Sequence, residues 1–233
     1  MSRQLKIHID ADTEVSGLFT EPPDAKACYV FAHGAGAGMR HSFMEAVANG
    51  LGARGVATLR YQFPYMEKGS RRPDPPAVCH KTVRAAVEEA QRLSSGVLLV
   101  AGGKSFGGRM TSQAQAGSAL PGVSGLAFVG FPLHPAKTPS DERAAHLAKI
   151  EIPMLFLQGT RDELADLHLL EPLVTKLGEH ATLKKLEGAD HSFHVLARSG
   201  RNDREVLDEL LDEFTVWLDA LSVPAETRRR ARP

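Results

Sequence analysis

Residues 97–117, VLLVAGGKSFGGRMTSQAQAG, carry the most specific fold signal of this sequence. The stretch opens with an apolar run over 97–101 that predicts a strand, and it closes with small residues over 106–117 that predict a helix. Between the two lies the pattern G-x-S-x-G, centred on Ser105. A sharp strand-to-helix turn holds such a serine in a strained backbone geometry, and the glycines on either side avoid steric clashes. The stretch therefore predicts that Ser105 is exposed at a strand end as a nucleophile.

Two nucleotide-binding motifs are incomplete in this sequence. The Gly-Lys-Ser that ends at Ser105 would close a phosphate loop of the form G-x-x-x-x-G-K-S, but position 98 is Leu98 rather than glycine. The glycine run HGAGAG over 33–38 would form a dinucleotide fingerprint only with glycine at position 39, which is Met39. We therefore expect no nucleotide cofactor.

Apolar runs and helical patterns alternate along the rest of the chain. Further strands are predicted over 4–9, 15–19, 27–32, 56–61, 123–129, 153–157 and 182–186. Further helices are predicted over 43–51, 77–93, 140–150, 164–177 and 204–221. Strands that are apolar throughout and alternate with helices indicate a mainly parallel sheet covered on both faces. We therefore predict one α/β domain over residues 1–233, with its ligand site at the carboxyl ends of the strands.

Composition and charge favour an ordered protein without a strongly charged partner. Hydrophobic residues make up 42% of the 233 residues, which is enough for a sizeable core. Lys plus Arg and Asp plus Glu both number 28, so no overall charge favours nucleic acid. The two cysteines, Cys28 and Cys79, are too few for a disulfide framework.

The chain ends give no sign of a membrane partner. Residues 1–15 are polar and lack the apolar core of a signal peptide. No apolar stretch approaches the roughly 18 residues that span a bilayer. We expect a soluble, cytoplasmic protein whose basic tail, about 222–233, is a frayed and solvated end.

A serine hydroxyl is a poor nucleophile at neutral pH unless a base accepts its proton and an acid orients that base. When a strand-to-helix turn carries the serine, the chain order is serine, then Asp or Glu, then histidine. Asp162 follows the strand predicted over 153–157, which makes it the candidate acid. Glu163 and Asp166 compete with it, but we expect both to belong to the next helix, whose first turn favours acidic residues.

His191 is the candidate base among ten histidines, because it directly follows the last predicted strand. His194, three residues further on, is its main rival. The spacing of the two histidines resembles a metal-binding pair, but no clear further ligands accompany them. We therefore expect no metal.

The backbone N–H groups of Ala35 and Phe106 are the predicted oxyanion hole. Ala35 lies in the HGAGAG loop after the third strand, and Phe106 follows the nucleophile; these are the two places that supply donors in such sites. The glycines allow the loop to approach a reacting carbonyl closely. His33 is expected to hold this loop rather than to take part in catalysis.

These motifs together resemble the small α/β-hydrolases related to dienelactone hydrolases. The resemblance is carried by HGAGAG (33–38), LRYQFPY (59–65), GGKSFGGRM (102–110), LQGTRDEL (157–164) and GADHSF (188–193). The sequence is similar in particular to bacterial hydrolases that share a domain with a testis-expressed protein and an NSL chromatin-complex subunit. The resemblance spans roughly 15–221 and implies an α/β-hydrolase fold with Ser105, Asp162 and His191 as nucleophile, acid and base. Dienelactone hydrolases carry cysteine at the nucleophile position, which argues against dienelactone as the substrate.

The predicted function is hydrolysis of a small ester, or less readily of a thioester or amide, through an acyl-enzyme and without a cofactor. The alternative is a binding or scaffolding module with weak turnover. Residues 130–152 are too few for a large lid, so we expect an open site. Arg71 and Arg72, in a proline-rich loop, either reach an anionic substrate or stay solvated. Lys104 either modulates the site or points away, and the sequence leaves both questions open.

Overall fold

Eight strands form one sheet within residues 2–222, the part of the chain that the computed structural model describes. In chain order they are β1 (Ser2–His8), β2 (Glu14–Thr20), β3 (Ala27–Ala32), β4 (Val56–Tyr61), β5 (Leu98–Lys104), β6 (Val123–Val129), β7 (Met154–Gly159) and β8 (Ala181–Leu186). Their order across the sheet is β1-β2-β4-β3-β5-β6-β7-β8. Strands β3 to β8 are parallel, whereas β2 pairs antiparallel with both β1 and β4. The predicted, mainly parallel α/β sheet is confirmed.

Helices connect the strands and cover the sheet. Within the described residues the α-helices are α1 (Ser42–Gly52), α2 (Pro64–Glu67), α3 (Pro76–Leu93), α4 (Phe106–Gly117), α5 (Leu167–Leu177) and α6 (Asp203–Ser222). Short 3₁₀ helices lie at Glu142–Lys149, Gly178–His180 and Ala197–Ser199. None of the helices in this part of the chain combines the length and the apolar character needed to cross a membrane.

The central strands are buried on both faces, as their uniformly apolar sequence predicts. In β3 every residue is buried, and alternate side chains enter different cores. Cys28 and Val30 pack into the core covered by α3, α4 and α5. Tyr29 and Phe31 pack into the core covered by α1 and α6. The sheet is therefore the middle of three layers, and its loops at the strand ends remain free to build a site.

Strand β5 continues three residues beyond the predicted end at position 101, because glycines allow close contact with its neighbours. Gly102 pairs with Ala127 of β6, and a Cβ built on Gly102 would lie 1.8 Å from the Ala127 carbonyl oxygen. A Cβ on Gly103 would lie 2.5 Å from the carbonyl oxygen of Ala32 at the end of β3. Only glycine fits at these two positions, and the extension brings Lys104 to the strand end.

Two short helices depart from the sequence prediction. The segment 140–150, predicted as a helix, forms the tighter 3₁₀ helix Glu142–Lys149, with hydrogen bonds that span three residues. Helix α2 was not predicted, because four residues are too few to show a helical period. The basic tail predicted over about 222–233 lies, apart from Ser222, outside the described residues.

Helix α5 begins three residues later than position 164, because the chain after β7 first makes a separate turn. The Leu164 N–H donates to Oδ1 of Asp162 at 2.8 Å, which holds that turn. Asp166 then caps α5 by accepting from the His168 N–H at 2.9 Å. Glu163 therefore lies in the turn, and its predicted place in the helix is wrong.

We predict that Gly102→Ala destabilises the protein by about 3 kcal/mol or more, because the new methyl group would overlap a backbone carbonyl that belongs to the sheet. Gly117→Ala is the matched control, since a Cβ there meets nothing within 4 Å, and we expect it to leave stability unchanged or to raise it by up to about 1 kcal/mol, because alanine favours the helix more than glycine does. Urea unfolding followed by circular dichroism measures both effects. Equal unfolding midpoints for the two variants would show that the packing at the end of β5 is looser than described.

Candidate active site

Ser105 occupies the turn between β5 and α4 in a conformation that is unusual for a residue with a side chain. Its φ is 49° and its ψ is −116°. The backbone there packs tightly, because a Cβ on Gly107 would lie 2.6 Å from the carbonyl oxygens of both Ala32 and His33. The turn therefore presents the Ser105 hydroxyl beyond the strand end. The tight packing at Gly107 also holds the end of β3 beside that hydroxyl.

His191 joins this serine to a carboxylate. The Ser105 hydroxyl donates to Nε2 of His191 at 2.8 Å, and Nδ1 of His191 donates to Oδ2 of Asp162 at 2.7 Å. His191 lies in the loop 187–194 after β8, which we call the base loop. The carboxylate partner fixes the proton on Nδ1 and leaves Nε2 free to accept from the hydroxyl. Three separate strand ends thus contribute one chain of hydrogen bonds.

Asp162 is held as a buried carboxylate. Its side chain is fully shielded from solvent. Besides the His191 bond, its oxygens accept hydrogen bonds from the Leu164 N–H and from Nε2 of Gln158. A buried negative charge is tolerated when it is paired with such donors. The carboxylate is therefore fixed in direction before any substrate binds.

The rival residues lie elsewhere. Glu163 is exposed, and Asp166 is engaged as the cap of α5. Nδ1 of His194 lies 2.6 Å from Oδ2 of Asp203 at the start of α6. The structure therefore brings together Ser105, Asp162 and His191, and within residues 2–222 it gives no competing side chain a hydrogen bond to theirs.

Comparison with known families identifies the fold around this site. A family model described as an alpha/beta hydrolase domain matches residues 25–219. The chain belongs to the α/β hydrolase domain family. The matched range contains all three residues of the hydrogen-bonded chain.

Solved structures share the fold of this α/β hydrolase at low sequence identity. A serine hydrolase without a lid from Xanthomonas campestris is 19% identical, with 93% of this chain and 94% of that chain covered and a TM-score of 0.72. A dienelactone hydrolase from Anabaena variabilis is 18% identical, with 94% and 97% covered and a TM-score of 0.74. Est1E from Butyrivibrio proteoclasticus is 17% identical, with 93% and 99% covered and a TM-score of 0.69. These likenesses show the α/β-hydrolase fold.

The predicted oxyanion donors lie beside the turn that carries Ser105. Phe106 is the first residue of α4, so its N–H has no acceptor within the helix. Ala35 is exposed and follows Gly34, where a Cβ would lie 3.8 Å from Cβ of Ser105. The Ala35 N–H takes part in no hydrogen bond to another residue of 2–222. Among the residues that the structure describes, neither N–H group has an acceptor, and their role as an oxyanion hole stays a prediction.

His33 holds the glycine loop in place. Its Nδ1 donates to the Gly34 carbonyl at 2.8 Å, and its Nε2 accepts from the Phe63 N–H at 3.1 Å. This pattern requires the neutral ring, because a proton on Nε2 would face the Phe63 N–H. Burial lowers the pKa of His33 to about 4. The ring therefore ties the end of β3 to the start of α2.

Three basic residues that the sequence left open have different surroundings. Lys104 turns toward the base loop, where its Nζ donates to the His191 carbonyl at 2.7 Å. Arg71 and Arg72 are exposed in the loop before α3. Of these three basic residues, Lys104 alone contacts a member of the Ser105–His191–Asp162 hydrogen-bond series.

Gln158 is a site residue that the sequence analysis missed. It lies in β7, is fully buried, and accepts from the Phe131 N–H at 2.9 Å while it donates to Asp162. A lone amide within the apolar run MLFLQG was the available signal, because a buried polar side chain needs partners. Gln158 links the loop after β6 to the acidic residue.

No group of three or more His, Cys, Asp or Glu side chains within residues 2–222 is arranged to hold a metal ion. In particular, His194 is paired with Asp203 and lies on an exposed part of the base loop. The histidine pair at 191 and 194 therefore divides between two different carboxylates.

We predict that His33 stays neutral down to about pH 5, because burial holds its pKa near 4 against the ordinary value of 6.5. Between pH 6.5 and pH 4, His33 binds a proton in the unfolded chain but not in the folded protein. Stability is therefore lost as the pH falls through this range. The loss from this residue at pH 5 is about 2 kcal/mol. The Cε1 proton resonance of His33, followed by NMR, is expected to be constant from pH 5.5 to 8. A titration step near that of free histidine would contradict the buried hydrogen-bonded state.

Proposed function

We propose that this α/β hydrolase is a serine hydrolase that cleaves a small carboxylic ester through an acyl-enzyme on Ser105. The observation that carries the proposal is the chain of hydrogen bonds from Ser105 through His191 to the buried carboxylate of Asp162. A nucleophile within reach of a base, with that base oriented by a third group, is the arrangement that activates a serine.

In the first half of the reaction, the Ser105 oxygen attacks the ester carbonyl carbon while Nε2 of His191 takes the hydroxyl proton. Asp162 stabilises the imidazolium that forms, because its carboxylate already contacts Nδ1. The bond to the leaving group then breaks, and His191 returns the proton to the departing alkoxide. The products are an alcohol and an acyl group esterified to Ser105.

In the second half, water attacks the acyl carbon and His191 accepts a proton from that water. The bond to the Ser105 oxygen breaks, the proton returns to this oxygen, and the carboxylic acid leaves. The backbone N–H groups of Ala35 and Phe106 are the donors that we assign to the oxyanion in both halves. Their unpaired state beside the turn supports this assignment.

The surroundings of the site support a small or exposed substrate. The segment between β6 and β7 contains one 3₁₀ helix, Glu142–Lys149, and no larger insertion. An ester is favoured over an amide, because resonance makes the amide carbonyl carbon a weaker electrophile and an amine is a poorer leaving group than an alcohol; a thioester is the second substrate class that the same steps would cleave. We also propose that residues 1–233 form one α/β-hydrolase domain. On its motifs, we place the chain with the bacterial hydrolases that share a domain with a testis-expressed protein and an NSL chromatin-complex subunit.

A purely scaffolding role is less consistent with the backbone at Ser105. A non-glycine residue in such a sparsely populated conformation costs about 1–3 kcal/mol. Binding modules have no need of this strain, whereas a nucleophile at the tip of a turn does. The cost therefore supports an enzyme.

We predict that Ser105→Ala abolishes fluorophosphonate labelling and lowers kcat for p-nitrophenyl acetate by about 10³-fold or more, because no covalent intermediate forms. Ser118→Ala, an exposed serine at the end of α4, is the matched control and is expected to behave like the wild type. In-gel labelling and ester hydrolysis measure the two effects. Equal labelling of all three proteins would reject Ser105 as the nucleophile.

We predict that Asp162→Asn lowers kcat by about 10²–10⁴-fold, because the amide no longer stabilises the imidazolium or fixes its tautomer. Glu163→Gln, its exposed neighbour, is the matched control and should retain wild-type kcat. Steady-state kinetics at pH 7.5 compare the two variants. A larger loss in Glu163→Gln than in Asp162→Asn would move the acid role to Glu163.

A further inference from the structure

The side chain of Lys104 crosses the end of a neighbouring strand to reach the base loop. Lys104 is the last residue of β5, and β6 and β7 separate β5 from β8. Gly130, directly after β6, leaves room for this path. A Cβ on Gly130 would lie 3.1 Å from Nζ of Lys104 and 3.5 Å from Cε1 of His191. The ammonium group and the imidazole therefore face the same point above Gly130.

Two contacts bind Lys104 to the base loop. Its Nζ donates to the backbone carbonyl of His191 at 2.7 Å. The same atom lies 5.3 Å from the ring centroid of Phe193, which in turn stacks on Phe43 of α1 with centroids 5.5 Å apart. The cation thus contacts the loop at the peptide group of His191 and at a side chain two residues further on.

The base loop needs such support because part of its backbone is strained. Phe193 has a φ of +65°, which is uncommon for a bulky residue. Within the loop, Oδ1 of Asp190 accepts from the N–H groups of Ser192 and His194. None of these bonds reaches the carbonyl of His191, so Lys104 supplies the contact that fixes this peptide group to β5.

The charge of Lys104 is costly where it lies. Among residues 2–222 no carboxylate is within 4.0 Å of its Nζ. Burial lowers the pKa of Lys104 to about 8, and the charges of Asp162 and Asp190 only partly offset this effect. Gly130 and Phe193, which also face the ammonium group, carry no charge. An apolar side chain would fill this space at lower cost, so packing alone does not explain the lysine.

We propose that Lys104 is a positioning residue of the hydrolase site: its ammonium group holds the His191 carbonyl so that the imidazole stays aligned with Ser105. The role rests on the proposed function, since it serves the transfer of the Ser105 proton to His191. Lys104 does not contact the reacting atoms and acts through His191.

This role makes the alignment sensitive to alkaline pH. Above about pH 8 the amine loses its charge, and it then makes a weaker hydrogen bond to the carbonyl and loses its interaction with the Phe193 ring. Activity is therefore expected to fall on an alkaline limb near pH 8. Stability follows the opposite trend: the penalty for burying the charge is full below pH 8 and disappears as the pH approaches the ordinary lysine value of 10.5.

The test compares Lys104→Met, Lys104→Arg and the exposed control Lys185→Met of β8. For p-nitrophenyl acetate we expect Lys104→Met to lose about tenfold to a hundredfold in kcat, with KM changed less than about twofold. The pH–activity profile of Lys104→Met should lack the alkaline limb near pH 8 that we expect for the wild type. Lys104→Arg should recover most of the kcat and move the limb upward, because its charge persists to higher pH. Lys185→Met should match the wild type.

Thermal unfolding separates positioning from a merely structural role. Lys104→Met is expected to melt at the same temperature as the wild type or a few degrees higher at pH 7, with the difference shrinking toward pH 10. A melting temperature more than five degrees lower, together with lost activity, would assign Lys104 to structure and overturn the proposal. An unchanged kcat with an unchanged alkaline limb would overturn it as well.

An NMR titration tests the same contact without turnover. In the wild type the Cε1 proton of His191 should show a step near pH 8 that is absent in Lys104→Met. If the wild type shows this step but neither hydrolyses esters nor reacts with fluorophosphonate, the contact stands and the proposed hydrolase function fails. If the step is present in both proteins, Lys104 does not act on His191 and the positioning role is rejected.

Discussion

Backbone packs closely against backbone where β5 turns into α4, and this packing sets the positions of the other parts of the site. Glycines at 102, 103 and 107 allow the strand end to contact β3 and β6 at distances that no side chain would permit. This packing carries the strained conformation of Ser105, and it also places the glycine loop after β3 beside the hydroxyl. The histidine and the carboxylate then need only to reach a point that the sheet has already defined, from the ends of β8 and β7.

Asp162 and the half-buried Lys104 both carry a charge beside this point, and their surroundings differ. Asp162 is surrounded by donors, so its burial is compensated and its direction is fixed. Lys104 has a carbonyl and an aromatic ring but no close carboxylate, and burial lowers its pKa. A site that retains an incompletely compensated charge gives up stability for geometry, which is a common compromise where function requires a fixed arrangement.

Much of this arrangement was predictable from sequence, because it depends on local signals at strand ends. The pattern around Ser105 and the loop positions of Asp162 and His191 required only the alternation of strands and helices and the order in which they occur. The hydrogen bonds from Lys104 to the His191 carbonyl and from the Phe131 N–H to Gln158 were not predictable, since each depends on which strands become neighbours across the sheet. The late start of α5 was not predicted from sequence, because the Asp162 side chain accepts from the Leu164 N–H and so forms a turn where the apolar pattern predicts the first residue of the helix.

We propose that Ser105, His191 and the N–H groups of Ala35 and Phe106 surround one reacting centre. A crystal structure of the protein after reaction with diethyl p-nitrophenyl phosphate tests this arrangement, because the phosphorylated serine would mimic the tetrahedral intermediate. We expect phosphorus bonded to the Ser105 oxygen, with the phosphoryl oxygen about 2.7–3.1 Å from both backbone nitrogens. An adduct on another residue, or a phosphoryl oxygen that points away from both N–H groups, would contradict it.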